Sequence, residues 1–193
     1  MIAARPNAID RARAAAVDGL DVAPLPLPPR QRKSGARVAG GHAARDAGAA
    51  FEAWLASQHA AAHLAGLAHV RHVGPPVAFT GAGGRDLRIV GHGPADFQGV
   101  LRGGRALALE AKSRPSRLAR AEIPQHQQDD LARVELLGGV ALLVVELREH
   151  QLVAAVPWGD VPWVVARSAE AVGVEQLRPW AVGQGLYLSR WAR

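Results

Sequence analysis

Val140 to Leu147 is a run of strand length, apolar except for Glu146, that stops at Arg148-Glu149-His150. Such a run suits an inner strand buried on both faces. A chain with that strand must cover both sides of a sheet, and 193 residues suffice for one domain with a real hydrophobic core. Hydrophobic residues make up 49% of the chain, and alanine supplies much of that, so the core rests on Leu, Val and Trp with little Phe. There is no cysteine, which excludes disulfides, thiolate metal sites and cysteine nucleophiles and leaves oxygen and imidazole ligands. No apolar run approaches the length of a membrane span, and the N-terminal stretch with Arg5, Asp10, Arg11 and Arg13 lacks the apolar centre of a signal peptide. The expectation is an intracellular, cytoplasmic protein.

The other elements are legible with more effort. Residues 1–40 carry Pro24, Pro26, Pro28 and Pro29, followed by Arg30-Gln31-Arg32-Lys33, and read as a flexible basic arm. From about Arg45 to Leu67 the pattern is helical, with Phe51, Trp54, Leu55, Leu64 and Leu67 on one stripe and Glu52, His59 and His63 on another face. Val77 to Thr80 and Leu87 to Val90 flank Gly81-Ala82-Gly83-Gly84 and predict a projecting hairpin. After a loop from Ser113 to Ile123, Pro124 opens a helix that stops at Gly138-Gly139, with Leu131, Val134 and Leu136 or Leu137 on its buried stripe. Leu152 to Val156 is expected to return beside the apolar strand, and Asp160 is placed to cap a short helix through Trp163. Periodicity assigns no place to the tail with Trp180, Tyr187 and Trp191.

The chemistry concentrates in Asp96-Phe97-Gln98-Gly99-Val100 and Leu107-Ala108-Leu109-Glu110-Ala111-Lys112, two short strands joined across Gly103-Gly104. Alternation puts Ala106, Ala108, Glu110 and Lys112 on one face and Leu107, Leu109 and Ala111 on the other. A two-residue turn would pair Asp96 with Ala111, on the wrong face. A three-residue loop, Arg102-Gly103-Gly104, pairs Asp96 with Glu110, so that loop or an equivalent bulge is predicted. Two carboxylates hold a hard divalent cation through oxygen, and a lysine beside them steers a water or steadies a phosphate.

The charge pattern suits a polyanionic partner. The formal net charge is +6. From Arg102 to Arg120 the chain carries Arg102, Arg105, Lys112, Arg114, Arg117 and Arg120, with Glu110 as the only acid. Basic side chains around a carboxylate site draw in phosphates by releasing counterions. His59 and His63 have the i, i+4 spacing of a metal pair, but they lack the glutamate of a zinc-protease helix and have no evident third ligand. Surface histidines near DNA phosphates are the better expectation for them.

The order of these motifs resembles the RecU-like Holliday junction resolvases of the PD-(D/E)xK nuclease superfamily, over roughly residues 45 to 165. The matching pieces are Ala49-Ala50-Phe51-Glu52, Gly74-Pro75-Pro76-Val77, Ala95-Asp96-Phe97-Gln98-Gly99-Val100, Leu109-Glu110-Ala111-Lys112, Ile123-Pro124-Gln125-His126-Gln127, Gly138-Gly139-Val140-Ala141 and Val156-Pro157-Trp158. The resemblance implies an α/β fold, a mixed central sheet flanked by helices with a restriction-endonuclease-like core. Residues 41–193 would form the nuclease domain, with a β-hairpin stalk at about 76–91. It implies a homodimer that resolves four-way (Holliday) DNA junctions by paired phosphodiester hydrolysis. Asp96, Glu110 and the Ala111 carbonyl would hold Mg²⁺, with Mn²⁺ able to substitute, and Glu52 would approach the same ion. Lys112 would orient the attacking water, and Gln127 would complete the catalytic set. Gln127 also shares the apolar stripe of its helix, where a polar side chain needs a partner. Arg88, Arg102, Arg105, Arg114, Arg117 and His126 are the candidate DNA contacts. The chain departs from the pattern in having Ala95, with Pro94 before it, where proline normally precedes the acid, and in its glycine-rich stalk tip. The rival readings are a nuclease of the same fold acting on forked, flapped or linear DNA, a non-catalytic DNA-binding protein, and a basic adaptor using the proline-rich arm.

Overall fold

A computed structural model describes residues 37–74, 76–80, 86–89, 93–165 and 170–192, with backbone alone at 37–45, 79–80 and 86–89. Most of the basic arm, the tip of the hairpin and the Arg88 side chain lie outside the described residues. In chain order the elements are helix α1 (Arg37–Leu64), strands β1 (Ala68–His72), β2 (Val77–Thr80), β3 (Asp86–Ile89), β4 (Phe97–Leu101), β5 (Ala106–Arg114) and β6 (Arg117–Ala119), helix α2 (Gln125–Leu136), strands β7 (Val140–Leu147) and β8 (Leu152–Pro157), helix α3 (Pro162–Val165), strand β9 (Ala171–Gly173) and helix α4 (Val174–Leu177). Five strands form the central sheet in the order β1-β4-β5-β7-β8. Only β5 and β7 run parallel; the other neighbours are antiparallel, so the sheet is mixed. β2 and β3 form a separate hairpin, paired Val77 to Ile89 and Thr80 to Asp86. No helix among the described residues is long and apolar enough to cross a membrane.

The expected inner strand is β7, in which every residue is buried. Its alternation feeds two cores. Leu142 and Val144 join Phe51, Trp54 and Leu55 of α1, whereas Leu143 and Val145 join Leu131 of α2 together with Trp158 and Trp163. Glu146 also lies in this strand and is buried, receiving a hydrogen bond from the Ser113 hydroxyl of β5. α2 ends as its glycines demand: Gly138 has φ +83°, the Gly138 N–H reaches the Glu135 carbonyl, and the Gly139 N–H reaches that of Val134. This is the paired closure of a Schellman motif. The segment from Ser113 to Ile123, expected as loop, instead contains the end of β5, strand β6 and a 3-10 turn at Arg120–Glu122.

Three apolar expectations are corrected. Leu64 is 79% exposed, Leu136 85% and Leu137 79%. The buried stripe of α1 runs through Phe51, Leu55, His59 and Ala62, and Leu64 lies well round the helix from it. Leu136 and Leu137 close α2 on its outer side, where the helix leaves the sheet. The α1 stripe also corrects His59. It is a core residue rather than a surface one, and its Nε2 shares a 2.6 Å hydrogen bond with the Tyr187 hydroxyl. The tail therefore has a place: Leu186, Tyr187 and Leu188 pack into the α1 core.

Burial holds the His59 pKa down at about 4. An unfolded histidine protonates near 6.5. The neutral, buried ring therefore stabilises the fold fully above pH 6.5, and that contribution drains as pH falls through 4, a loss on the order of 3 kcal/mol. Glu110 and Glu146, whose pKa values are raised, act in the opposite sense over part of this range. The expected result is that His59→Gln flattens the acid side of a Tm-versus-pH series relative to wild type. Parallel curves from pH 7.5 to 4 would refute it.

Candidate metal and phosphate site

The turn between β4 and β5 sets the site. Phe97 pairs with Leu109, Gln98 with Ala108, Gly99 with Leu107 and Val100 with Ala106. The Leu101 N–H reaches the Arg105 carbonyl at 2.9 Å, and the Gly104 N–H returns to the Leu101 carbonyl at 3.0 Å, which closes the loop Arg102-Gly103-Gly104. Gly103 and Gly104 both adopt φ +89°, a conformation that side-chain-bearing residues avoid. The loop is thus the predicted three-residue one. Carried one pair further, the register sets Asp96 opposite Glu110.

The two acids interlock. Asp96 Oδ2 accepts the Ala111 N–H at 3.0 Å, and Glu110 Oε2 accepts the Asp96 N–H at 3.3 Å. Lys112 points the same way and pairs with Glu110 Oε1. Glu110 is fully buried. Burial pushes its pKa up, the Lys112 ammonium pulls it back and the Asp96 carboxylate adds to the rise, leaving it at about 7. A buried acid beside a second carboxylate is short of positive charge, even with one lysine present. Such a set of hard oxygens suits a divalent cation, which needs its carboxylates ionised. The Ala111 carbonyl leaves its extended residue on the same edge as the N–H that reaches Asp96, so it too is available on that side.

Residues distant in sequence support the acids. Asp130 of α2 accepts the Ala95 N–H at 3.1 Å and Gln98 Nε2 at 3.4 Å, bracketing Asp96 on both sides. Sequence reasoning missed Asp130. The available signal was its position one turn on from Gln127, on the same helix face. The side-chain oxygen of Gln127 is buried without a hydrogen-bond partner, on the α2 side of the sheet. Glu52, by contrast, is exposed on α1, which covers the opposite face of the sheet from Glu110. Among the described residues no three His, Asp or Glu side chains are grouped to hold a metal, so the structure brings Asp96, Glu110 and Lys112 together without Glu52.

The basic residues divide. Arg102 donates to the Ala192 carbonyl at 3.2 Å, and Arg105 donates to the Trp191 carbonyl, so both hold the C-terminal tail. Arg114 is paired with Glu122. Arg117 is exposed on β6, and His126 is half-buried in the first turn of α2. On the reverse face of the sheet, Arg148 donates to the Ser113 hydroxyl at 2.7 Å, completing a polar cluster with Glu146.

No family model matches the chain, and no curated protein matches it. Among solved structures the chain is similar to Hjc, a Holliday junction resolvase from the archaeal hyperthermophile Archaeoglobus fulgidus, with 15% identity and a TM-score of 0.43, covering 70% of this chain and 89% of that one.

Proposed function

We propose that this chain is a divalent-metal-dependent endodeoxyribonuclease with a restriction-endonuclease-like core, acting on four-way DNA junctions. The observation that carries the reading is the register that sets Asp96 opposite Glu110 with Lys112 on the same face. Asp96, Glu110 and the Ala111 carbonyl are the residues that would hold Mg²⁺ or Mn²⁺, and the charge-deficient pair of half-buried Asp96 and buried Glu110 fits such an ion. When bound, the ion supplies neutralising charge to the scissile phosphate and acidifies water. Lys112 orients the attacking water and stabilises charge on the phosphoryl oxygens. Hydrolysis then adds the water oxygen to phosphorus and expels the 3′ oxygen, giving a 5′-phosphate and a 3′-hydroxyl. Glu110 must be ionised to hold the cation. Gln127, with its unpartnered oxygen, completes the proposed set, and Glu52, exposed on the helix that covers the other face of the sheet, joins it only on a rearrangement with DNA bound.

Arg88, Arg114, Arg117 and His126 are proposed backbone contacts, which position DNA without reading bases. Arg102 and Arg105 serve this role only with the donors they do not spend on the tail. A homodimer would set two sites on two strands of one junction, and the hairpin of β2 and β3 is the proposed stalk. The proposed location is the cytoplasm. The test compares a synthetic four-way junction with a fork and a linear duplex of the same sequence in Mg²⁺. Preferential, paired nicking of the junction is expected. Equal cleavage of all three would favour the reading as a nuclease of broader DNA specificity.

Asp130 is a positioning residue in this scheme. Ala95 is fully buried, so removing the acceptor of its N–H costs about 1–3 kcal/mol and loosens the residue before Asp96. Asp130→Ala is expected to lower the single-turnover rate at saturating junction by about tenfold, while Asp130→Asn, which keeps an acceptor oxygen, stays near wild type. Equal loss in both variants would assign the role to charge and not to positioning.

A further inference from the structure

Four of the chain's eight histidines surround one cavity between α1 and β1, outside the carboxylate site. The cavity measures about 290 Å³. Buried Phe97 and His59 form its floor, and His63, His69 and His72, the last two on β1, stand exposed around it. The rings meet edge to face: His59 and His72 lie 4.9 and 5.1 Å from the Phe97 ring, and His63 lies 5.2 Å from His69. Arg71 Nε donates to His69 Nε2 at 3.0 Å, which brings a guanidinium to the rim with its remaining N–H groups uncommitted by that bond.

Flat rings over an apolar floor, with a cation at the edge, fit a planar heterocycle carrying a phosphate. The volume is just under the roughly 300–1,000 Å³ of small-ligand pockets, which admits one base and excludes stacked base pairs. A metal ion fits less well. His59 Nε2 is committed to Tyr187 and His69 Nε2 to Arg71, and among the described residues no three ligands are grouped. The cavity lies on the reverse face of the sheet from the carboxylates, one residue along β4 from Asp96. Phe97 follows Asp96 in the chain but faces the reverse side of the sheet. His72 is the cross-strand partner of Phe97, and the Val73 N–H reaches the Asp96 carbonyl at 2.8 Å.

We propose that this histidine-walled cavity binds an unpaired nucleobase of single-stranded DNA, by stacking on the imidazoles and pairing the adjoining phosphate with Arg71. The proposal rests on the nuclease reading for its choice of DNA as the ligand. Base stacking on aromatic side chains tolerates any sequence and contributes strongly to single-strand binding. At a junction or frayed end, the cavity would hold a displaced base behind the scissile phosphate.

The experiment measures fluorescence anisotropy of the full chain with an eight-residue oligothymidylate and with an abasic strand of equal length, both in EDTA. Wild type is expected to bind the oligothymidylate about tenfold more tightly than the abasic strand. His63→Ala combined with His72→Ala, both on exposed rings and checked for fold by circular dichroism, is expected to erase that preference and leave abasic binding unchanged. Any of three results would overturn the proposal: no preference in wild type, a preference retained in the variant, or stoichiometric Zn²⁺ in wild type that the variant loses. Asp96→Asn serves as the separating control. It should keep the base preference and lose cleavage. If it cleaves a junction like wild type, the assignment of Asp96 fails, and if wild type does not cleave at all, the nuclease reading fails; in both cases the base-binding result stands or falls separately.

Discussion

Asp96→Asn and Glu110→Gln are each expected to reduce cleavage of a synthetic four-way junction in Mg²⁺ by about a thousandfold or more, with little change in junction affinity. The magnitude follows from removing charge that acts on the transition state in a water-poor site. The affinity follows from basic contacts elsewhere, because phosphate contacts supply most of the binding free energy. Asparagine suits the test because its side-chain oxygen can still accept the Ala111 N–H that Asp96 now accepts. The lock between the two strands then survives, and only the negative charge is lost. Single-turnover cleavage measured beside a gel-shift titration separates the two effects. Full cleavage by either variant would remove these residues from the site.

Lys112→Ala is expected to lower the single-turnover rate by about a hundredfold and also to move its pH dependence. At limiting Mg²⁺, cation binding needs Glu110 ionised, so the wild-type rate should rise as pH passes through about 7. The Lys112 ammonium lowers the Glu110 pKa. Its removal raises that pKa, so the rise should shift to higher pH in Lys112→Ala. At saturating Mg²⁺ the two profiles should converge in shape, because the ion itself holds Glu110 ionised. Superimposable profiles at limiting Mg²⁺ would show that Lys112 does not hold Glu110.

The site was legible to the extent that its geometry is local. Side-chain alternation and loop parity over the stretch from Asp96 to Lys112 require a three-residue loop or an equivalent bulge. The same locality made the hairpin of β2 and β3, the inner strand β7 and the glycine stop of α2 readable. His59 was misplaced although its signal was present. It lies one turn beyond Leu55 on the stripe that starts at Phe51, and a polar identity masked a core position.

Other features had no local signal. Arg102 and Arg105 looked like free cations in a basic cluster, but each holds a carbonyl of the tail, 90 and 86 residues away. The tail itself carries too little periodicity to place, yet Tyr187 meets His59 across 128 residues. Asp130 reaches Ala95 and Gln98 only because α2 packs on the face of the sheet that Glu110 occupies.

The sequence by itself determined the two long helices, the inner strand, both hairpins, the pairing of Asp96 with Glu110 and the shared face of Lys112, because backbone dihedrals, pleat and turn length act over a few residues. Tertiary structure alone decided which charges are spent on the tail, which acid brackets Asp96, and that four histidines close around Phe97. Those outcomes depend on how helices and tail dock on the sheet, where long-range packing outweighs any preference written along the chain.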